Sequence, residues 1–109
     1  MFNKGNMAQI LKQARDVQKK IEEVQNELEE LTIEGDSGGG MVKVVVNGKQ
    51  QILELSIDPE AIKEDKELLE DLIISAVNTA LAKSLEESQA RMNAVTGNVL
   101  GDMNIPGLG

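Results

Sequence analysis

The chain has no cysteine, no histidine, no tryptophan and no tyrosine, and its single aromatic residue is Phe2. Each absence removes a class of function. Without cysteine there is no disulfide, no thiol nucleophile and no thiolate metal site. Without histidine there is no imidazole base, no nucleophile triad that needs one, and no zinc site of the usual donor set. One aromatic leaves no stacking platform for unpaired bases, and restricts the core to Val, Ile, Leu, Met and Ala. No apolar run approaches the ~20 residues of a membrane span, and the start, Met1-Phe2-Asn3-Lys4-Gly5, carries no signal-peptide stretch. The expectation is a cytoplasmic protein without membrane, cofactor, metal or small-molecule substrate, and not an enzyme.

What the chain does have is a seam. Met7, Ile10, Ala14, Val17, Ile21, Val24, Leu28 and Leu31 follow one another at steps of three and four. That is a period of 3.5, the repeat of a helix made to face another helix. A helix over Met7–Thr32 is roughly 39 Å long, while a compact domain of this size has a radius of gyration near ~13 Å. The helix is therefore expected to overhang its own domain and to pair with a second chain, with Ile21, Val24, Leu28 and Leu31 at a dimer interface. Opposite the seam lie Lys12, Arg15 and Lys19, with Lys20 adjacent.

The net charge of −8 is unevenly spread. Residues 1–20 hold five basic residues against Asp16, a local charge of +4; the rest hold six basic and 18 acidic, a charge of −12. Taken whole the protein repels nucleic acid, but one end of it attracts.

The remaining elements follow from local signals. Asn6 is the expected N-cap of the first helix. Thr32-Ile33-Glu34 reads as a short strand and Gly35–Gly40 as a flexible turn. Met41–Val46 and Lys49–Ile57 read as strands joined by a two-residue Asn47-Gly48 hairpin, which sets Val44 opposite Gln51 and Val42 opposite Leu53. One sheet face then carries Val42, Val44, Val46, Leu53, Leu55 and Ile57 and should be dry. Asp58-Pro59-Glu60-Ala61-Ile62 predicts a capped single turn. A long last helix runs from Lys66 to Thr96, capped by Asp65, stopped at Gly97, with Leu69, Leu72, Ile73, Ala76, Val77, Ala80 and Leu81 as its sheet-covering stripe. The fold class is α+β: a helix, a three-stranded antiparallel meander, a short turn and a long C-terminal helix, dimeric with projecting helices. Residues 1–97 form the single domain and residues 98–109, with Gly or Pro at four of twelve positions, a mobile tail.

Two motifs invite a functional reading and fail it. Gly35-Asp36-Ser37-Gly38-Gly39 spells the nucleophile signature of trypsin-like proteases, but no histidine exists to activate the serine. The same glycines precede a strand and are followed by no Lys-Ser/Thr pair, so they are not a Walker phosphate loop. The carboxylate groups around Glu34 and Glu64 lack calcium-loop spacing and read as solvated surface.

The chain as a whole resembles the YbaB/EbfC nucleoid-associated proteins. The resemblance rests on the heptad helix, Gly35-x-x-Gly38-Gly39-Gly40-Met41-Val42-x-Val44, Asn47-Gly48 and Ile57-Asp58-Pro59-Glu60. It continues through Asp65-x-Glu67-x-Leu69-x-Asp71-Leu72-Ile73, Ala76-Val77-Asn78-x-Ala80 and the Asn104-Ile105-Pro106-Gly107-Leu108-Gly109 tail. It implies a bacterial cytoplasmic homodimer that binds double-stranded DNA, changes its conformation and associates with the nucleoid. It also implies DNA contacts on the helices, which by charge and position brings forward Lys12, Arg15, Lys19 and Lys20 on the first helix and Arg91 on the last. The residues alone leave a second function open, a protein–protein adaptor whose heptad helix pairs with another helical protein and never meets DNA.

Overall fold

The computed structural model describes residues 4–103, in the order α1 (Lys4–Glu30), β1 (Ile33–Ser37), a 3-10 turn (Gly38–Gly40), β2 (Val42–Val46), β3 (Ile52–Ile57), α2 (Pro59–Ile62) and α3 (Lys66–Met103). The strands form one antiparallel sheet in the order β1-β2-β3. The α-β-β-β-α meander is the architecture read from the sequence.

The core lies between one sheet face and α3. Val42, Val44 and Val46 of β2 and Ala76 and Ala80 of α3 are fully buried, with Ile33, Leu69, Leu72, Ile73, Val77 and Leu81 around them. Two small residues on α3 bring the helix close enough to touch β1 backbone to backbone. A Cβ on Gly35 would lie 2.5 Å from the Ala80 nitrogen and 2.8 Å from the Ala76 oxygen. That close approach is why β1 takes in Gly35, Asp36 and Ser37, which had been expected in the turn. Only Gly38, Gly39 and Gly40 make the turn, all three at positive φ (60°, 66° and 94°), where a side chain is strained.

The hairpin differs from its expected form. Val42 pairs with Ile57 and Val44 with Leu55, a register four residues from the expected one, and Leu53 is the extra residue of a bulge beside Val46. The loop spans Asn47 to Gln51, because Asn47 acts as its organiser. Its side-chain oxygen accepts from the Lys49 and Gln51 amides at 2.9 and 3.1 Å, and its amide donates to Gln51 Oε1 at 2.7 Å. Ser84 of α3 closes the loop, donating to the Asn47 carbonyl at 2.6 Å and accepting from the Gln50 amide at 3.2 Å. Gln50 takes the positive φ that an Asn-Gly turn would have given to Gly48. Gly48 serves closeness instead: its amide donates to the Leu28 carbonyl at 2.7 Å, and a Cβ would meet Leu28 at 2.8 Å.

A shift of four is even, so Glu54, Leu55, Ser56 and Ile57 keep their expected faces, whereas past the bulge the shift is three and Ile52, expected on the other face, comes opposite Val46. The dry face is nevertheless only partly dry. α3 packs on β1 and β2 and leaves β3 largely bare, so Leu53 and Leu55 stand half exposed.

The helices also differ at their ends. α1 starts at Lys4, which places Asn6 inside it and not at its cap, and it closes at Glu30, with the Leu31 amide still donating to the Glu27 carbonyl. Asp58 and Asp65 cap α2 and α3 as expected, accepting from the Glu60 and Leu68 amides at 2.9 and 2.7 Å. α3 does not stop at Gly97 but runs to Met103. A glycine ends a helix by turning left-handed, and Gly97 keeps a negative φ, so it costs helix propensity without breaking the chain's course. Residues 98–103 are thus helical, and the rest of the expected tail, 104–109, lies outside the described residues.

The molecule is long. Its radius of gyration is 21.1 Å and its extents are 72 × 26 × 16 Å, against ~13 Å for a compact chain of this length. Along α3, Leu72 meets Ser37, Ser84 meets Asn47, and Arg91 meets Glu27. α1 therefore runs antiparallel to the far half of α3 and continues past it as an arm.

Candidate nucleic-acid interface

The arm is where the charge asymmetry acquires a geometry. Lys12, Arg15 and Lys19 recur at steps of three and four, so they lie along one edge of α1, spread over roughly 10 Å of axis. Lys20 sits on the adjoining edge. All four are exposed, and no ion pair engages any of them among the described residues.

The other cations are largely occupied. Lys49 faces Glu29 at 3.8 Å, Lys63 faces Glu60 at 3.1 Å, and Lys66 faces Glu70 at 4.0 Å. Lys83 donates to the Glu34 carbonyl at 3.1 Å. Arg91, brought forward as a fifth DNA contact, is held by two carboxylates: Glu87 at 2.9 Å on its own helix and Glu27 at 3.3 Å on α1. The Glu87 hydrogen bond, with both negative charges, raises its already high pKa. Its geometry is that of a clasp between α1 and α3, and its charge is already answered.

The apolar side of α1 changes character along its length. Leu28 is only 3% exposed, packed against Gly48 within the chain. Ile21, Val24 and Leu31 are half-buried, and Met7, Ile10 and Ala14 are exposed. Of the four residues expected at a dimer interface, Leu28 is therefore committed to its own chain, because the hairpin loop folds up against it.

A second apolar line, sharing Val77 and Leu81 with the stripe expected to cover the sheet, runs along α3. Ile74, Val77, Leu81, Leu85, Met92 and Val95 recur along one flank of α3, with Ile74 and Leu85 exposed.

The Gly-Asp-Ser-Gly-Gly segment is structural. The Ser37 hydroxyl donates to the Leu72 carbonyl at 2.6 Å, tying the end of β1 to α3. Ser37→Ala should lower stability by about 1 kcal/mol and leave any DNA affinity unchanged, read by thermal melting beside a binding titration. Among the described residues, no group of three or more Asp or Glu is placed to hold a metal ion, and no helix is long and apolar enough to cross a membrane.

The YbaB/EbfC DNA-binding family model matches residues 3–99. Nucleoid-associated protein TTE0040 of Caldanaerobacter subterraneus subsp. tengcongensis is 45% identical over 108 residues, 98% of this chain and 91% of that protein. A nucleoid-associated protein of Chlorobium chlorochromatii is 45% identical over 95 residues, 87% of this chain and 85% of that one. In structure, the chain is similar to uncharacterized protein HP0035 from Helicobacter pylori, with a TM-score of 0.62 and 26% identity over 71% of this chain and 90% of that chain. Since the family match spans nearly the whole described length, the chain belongs to the YbaB/EbfC DNA-binding family.

Proposed function

We propose that this protein binds double-stranded DNA as a homodimer through the outer faces of its α1 arms, altering duplex conformation as a nucleoid-associated protein in the bacterial cytoplasm. The observation that carries the reading is the set of unpaired cations, Lys12, Arg15, Lys19 and Lys20, on a helix projecting beyond an acidic body. Projection lessens the conflict between the net charge and a phosphate partner, with Asp16, Glu22 and Glu23 the nearest carboxylates that share the helix with the cations. The Debye length at physiological salt is about 8 Å, so carboxylates tens of ångströms down the molecule are screened from a duplex held at the arm. Two arms on one duplex would also constrain its path, the physical route to a change in DNA conformation. The family description and the names of the relatives support DNA and the nucleoid as the setting.

The exposed Met7, Ile10 and Leu11 favour a second reading, the helical adaptor, in which the arm meets a protein. A mobility-shift titration separates the two. Two unrelated duplexes of equal length should both shift at low salt with similar affinities, and both should weaken at physiological salt. Absence of a shift at low salt would remove the DNA reading.

A further inference from the structure

The α1 arm is tied to the body near its base. Leu28 is buried against Gly48, whose amide donates to the Leu28 carbonyl at 2.7 Å. On either side of Leu28 stands a carboxylate paired with a cation from another part of the chain. Glu27 meets Arg91 of α3 at 3.3 Å, and Glu29 meets Lys49 of the β2–β3 loop at 3.8 Å. Positions two apart on a helix point about 200° apart around its axis, so the two ion pairs pull on α1 from opposite sides. Helix stability does not explain these glutamates. α1 has no basic residue in its last turn, and carboxylates there oppose the helix dipole. Arg91 is itself held in place: its Nε donates to Glu87 at 2.9 Å on the same helix, while Nη1 turns to Glu27. A planar guanidinium serves two carboxylates from one fixed orientation, where an ammonium is a single point of charge.

We propose that these two ties set the direction of the α1 arm, so that Glu27 and Arg91 are positioning residues for DNA and not contacts with it, a role that rests on the function proposed above. Leverage makes the direction matter. Arg15 lies 13 residues before Leu28. That is roughly 20 Å along the helix, so a swing of about 10° at the base moves it by ~3.5 Å. The displacement is larger than the whole length of a charge-assisted hydrogen bond to a phosphate oxygen, about 2.7–2.9 Å. Ile21 and Val24 are only half-buried, so packing leaves the arm room to swing. Leu28 pins one point of the helix, and the ion pairs on its two sides limit rotation about that point. Stability is not what they supply. The Arg91 and Glu27 side chains keep 34% and 60% of their surface, and exposed ion pairs add little to folding.

Neutral replacements on the two partners separate positioning from contact, because Glu27→Gln and Arg91→Gln change the net charge in opposite senses. Both should weaken DNA affinity, by roughly threefold each at about 0.1 M salt, the scale of one exposed ion pair. The double variant should be no weaker than either single one. Glu30→Gln removes a carboxylate that has no ion pair among the described residues, and should not weaken binding. If Arg91 met phosphate itself, Glu27→Gln would free its charge and tighten binding while Arg91→Gln weakened it, and that result overturns the proposal. A second readout needs no DNA. Spin labels at Gln9→Cys and Lys63→Cys report the distance from arm to body, since the chain has no cysteine of its own. Labelled chains are diluted in unlabelled ones, so that each measured pair lies within one chain. The distance distribution should be broader in Glu27→Gln and Arg91→Gln than in the wild type and Glu30→Gln, with native helicity by circular dichroism in all four. If Arg91→Gln fails to fold, Glu27→Asp, one methylene shorter at the same charge, should broaden the distribution in its place. Unchanged distributions overturn the proposal even where affinities fall. Broadened distributions in a protein that shifts no DNA would refute the function proposed above and leave the arm's direction assigned to these residues.

Discussion

Replacing Gly35 with alanine is expected to lower stability by roughly 3 kcal/mol or more, a drop in Tm on the order of 15 °C for a domain of this size. The argument is steric. The new Cβ would sit 2.5–2.8 Å from backbone atoms of Ala76 and Ala80, and helical backbone cannot step aside as a flexible side chain can. α3 would have to lift from β1, loosening its contact with the buried valines of β2. Gly39→Ala is the informative contrast: its Cβ meets nothing within 4 Å, and its only penalty is a φ of +66°, worth about 1 kcal/mol. A chemical denaturation series should therefore rank Gly35→Ala far below Gly39→Ala. Equal losses would mean that conformational freedom, not close approach, is what these glycines supply.

Much of this was legible in the sequence, and the exceptions share a cause. The heptad seam, the capping aspartates and the stripe on α3 are periodic or local signals, and each led to the correct element. What escaped was set by contacts between elements far apart in the chain. Nothing local in Gly35-Asp36-Ser37 distinguishes a turn from a strand; the backbone of α3, some 40 residues on, decides it. Asn47-Gly48 carries the local signature of a two-residue turn, yet Ser84 and Leu28 hold it in a longer loop. Gly97 looked like a stop because glycine often is one, but a stop needs the left-handed conformation, which composition does not reveal. For the candidate site, the stripe of Lys12, Arg15 and Lys19 could be read directly from spacing. That Arg91 is occupied by Glu27 and Glu87 could not, since Glu27 approaches only when α1 folds back along α3.

Charge reversal on the arm should produce the largest functional effect. Arg15→Glu and Lys19→Glu are each expected to weaken DNA affinity roughly tenfold or more near 0.1 M salt, and about equally for all duplexes, since phosphate contacts carry no base information. Lys63→Glu and Lys66→Glu change the net charge by the same amount at the α2–α3 junction. Successive rises along α3 and α1 place that junction roughly 50 Å or more from the cationic stripe. Those two variants should do far less. The comparison matters because any reversal makes an acidic protein more repulsive; only a loss that depends on position points to a surface.

Salt dependence then tests most directly whether the outer face of α1 meets phosphates. The observable is the slope of log affinity against log salt for the wild type, Arg15→Glu and Lys66→Glu, measured on one duplex. Each lost contact should flatten the slope by about 0.9, and by about twice that if both arms of a dimer engage. Arg15→Glu should therefore give a visibly shallower line, with Lys66→Glu parallel to the wild type. Three parallel lines, displaced equally for both reversals, would contradict the account, because net charge alone would then be what the DNA senses.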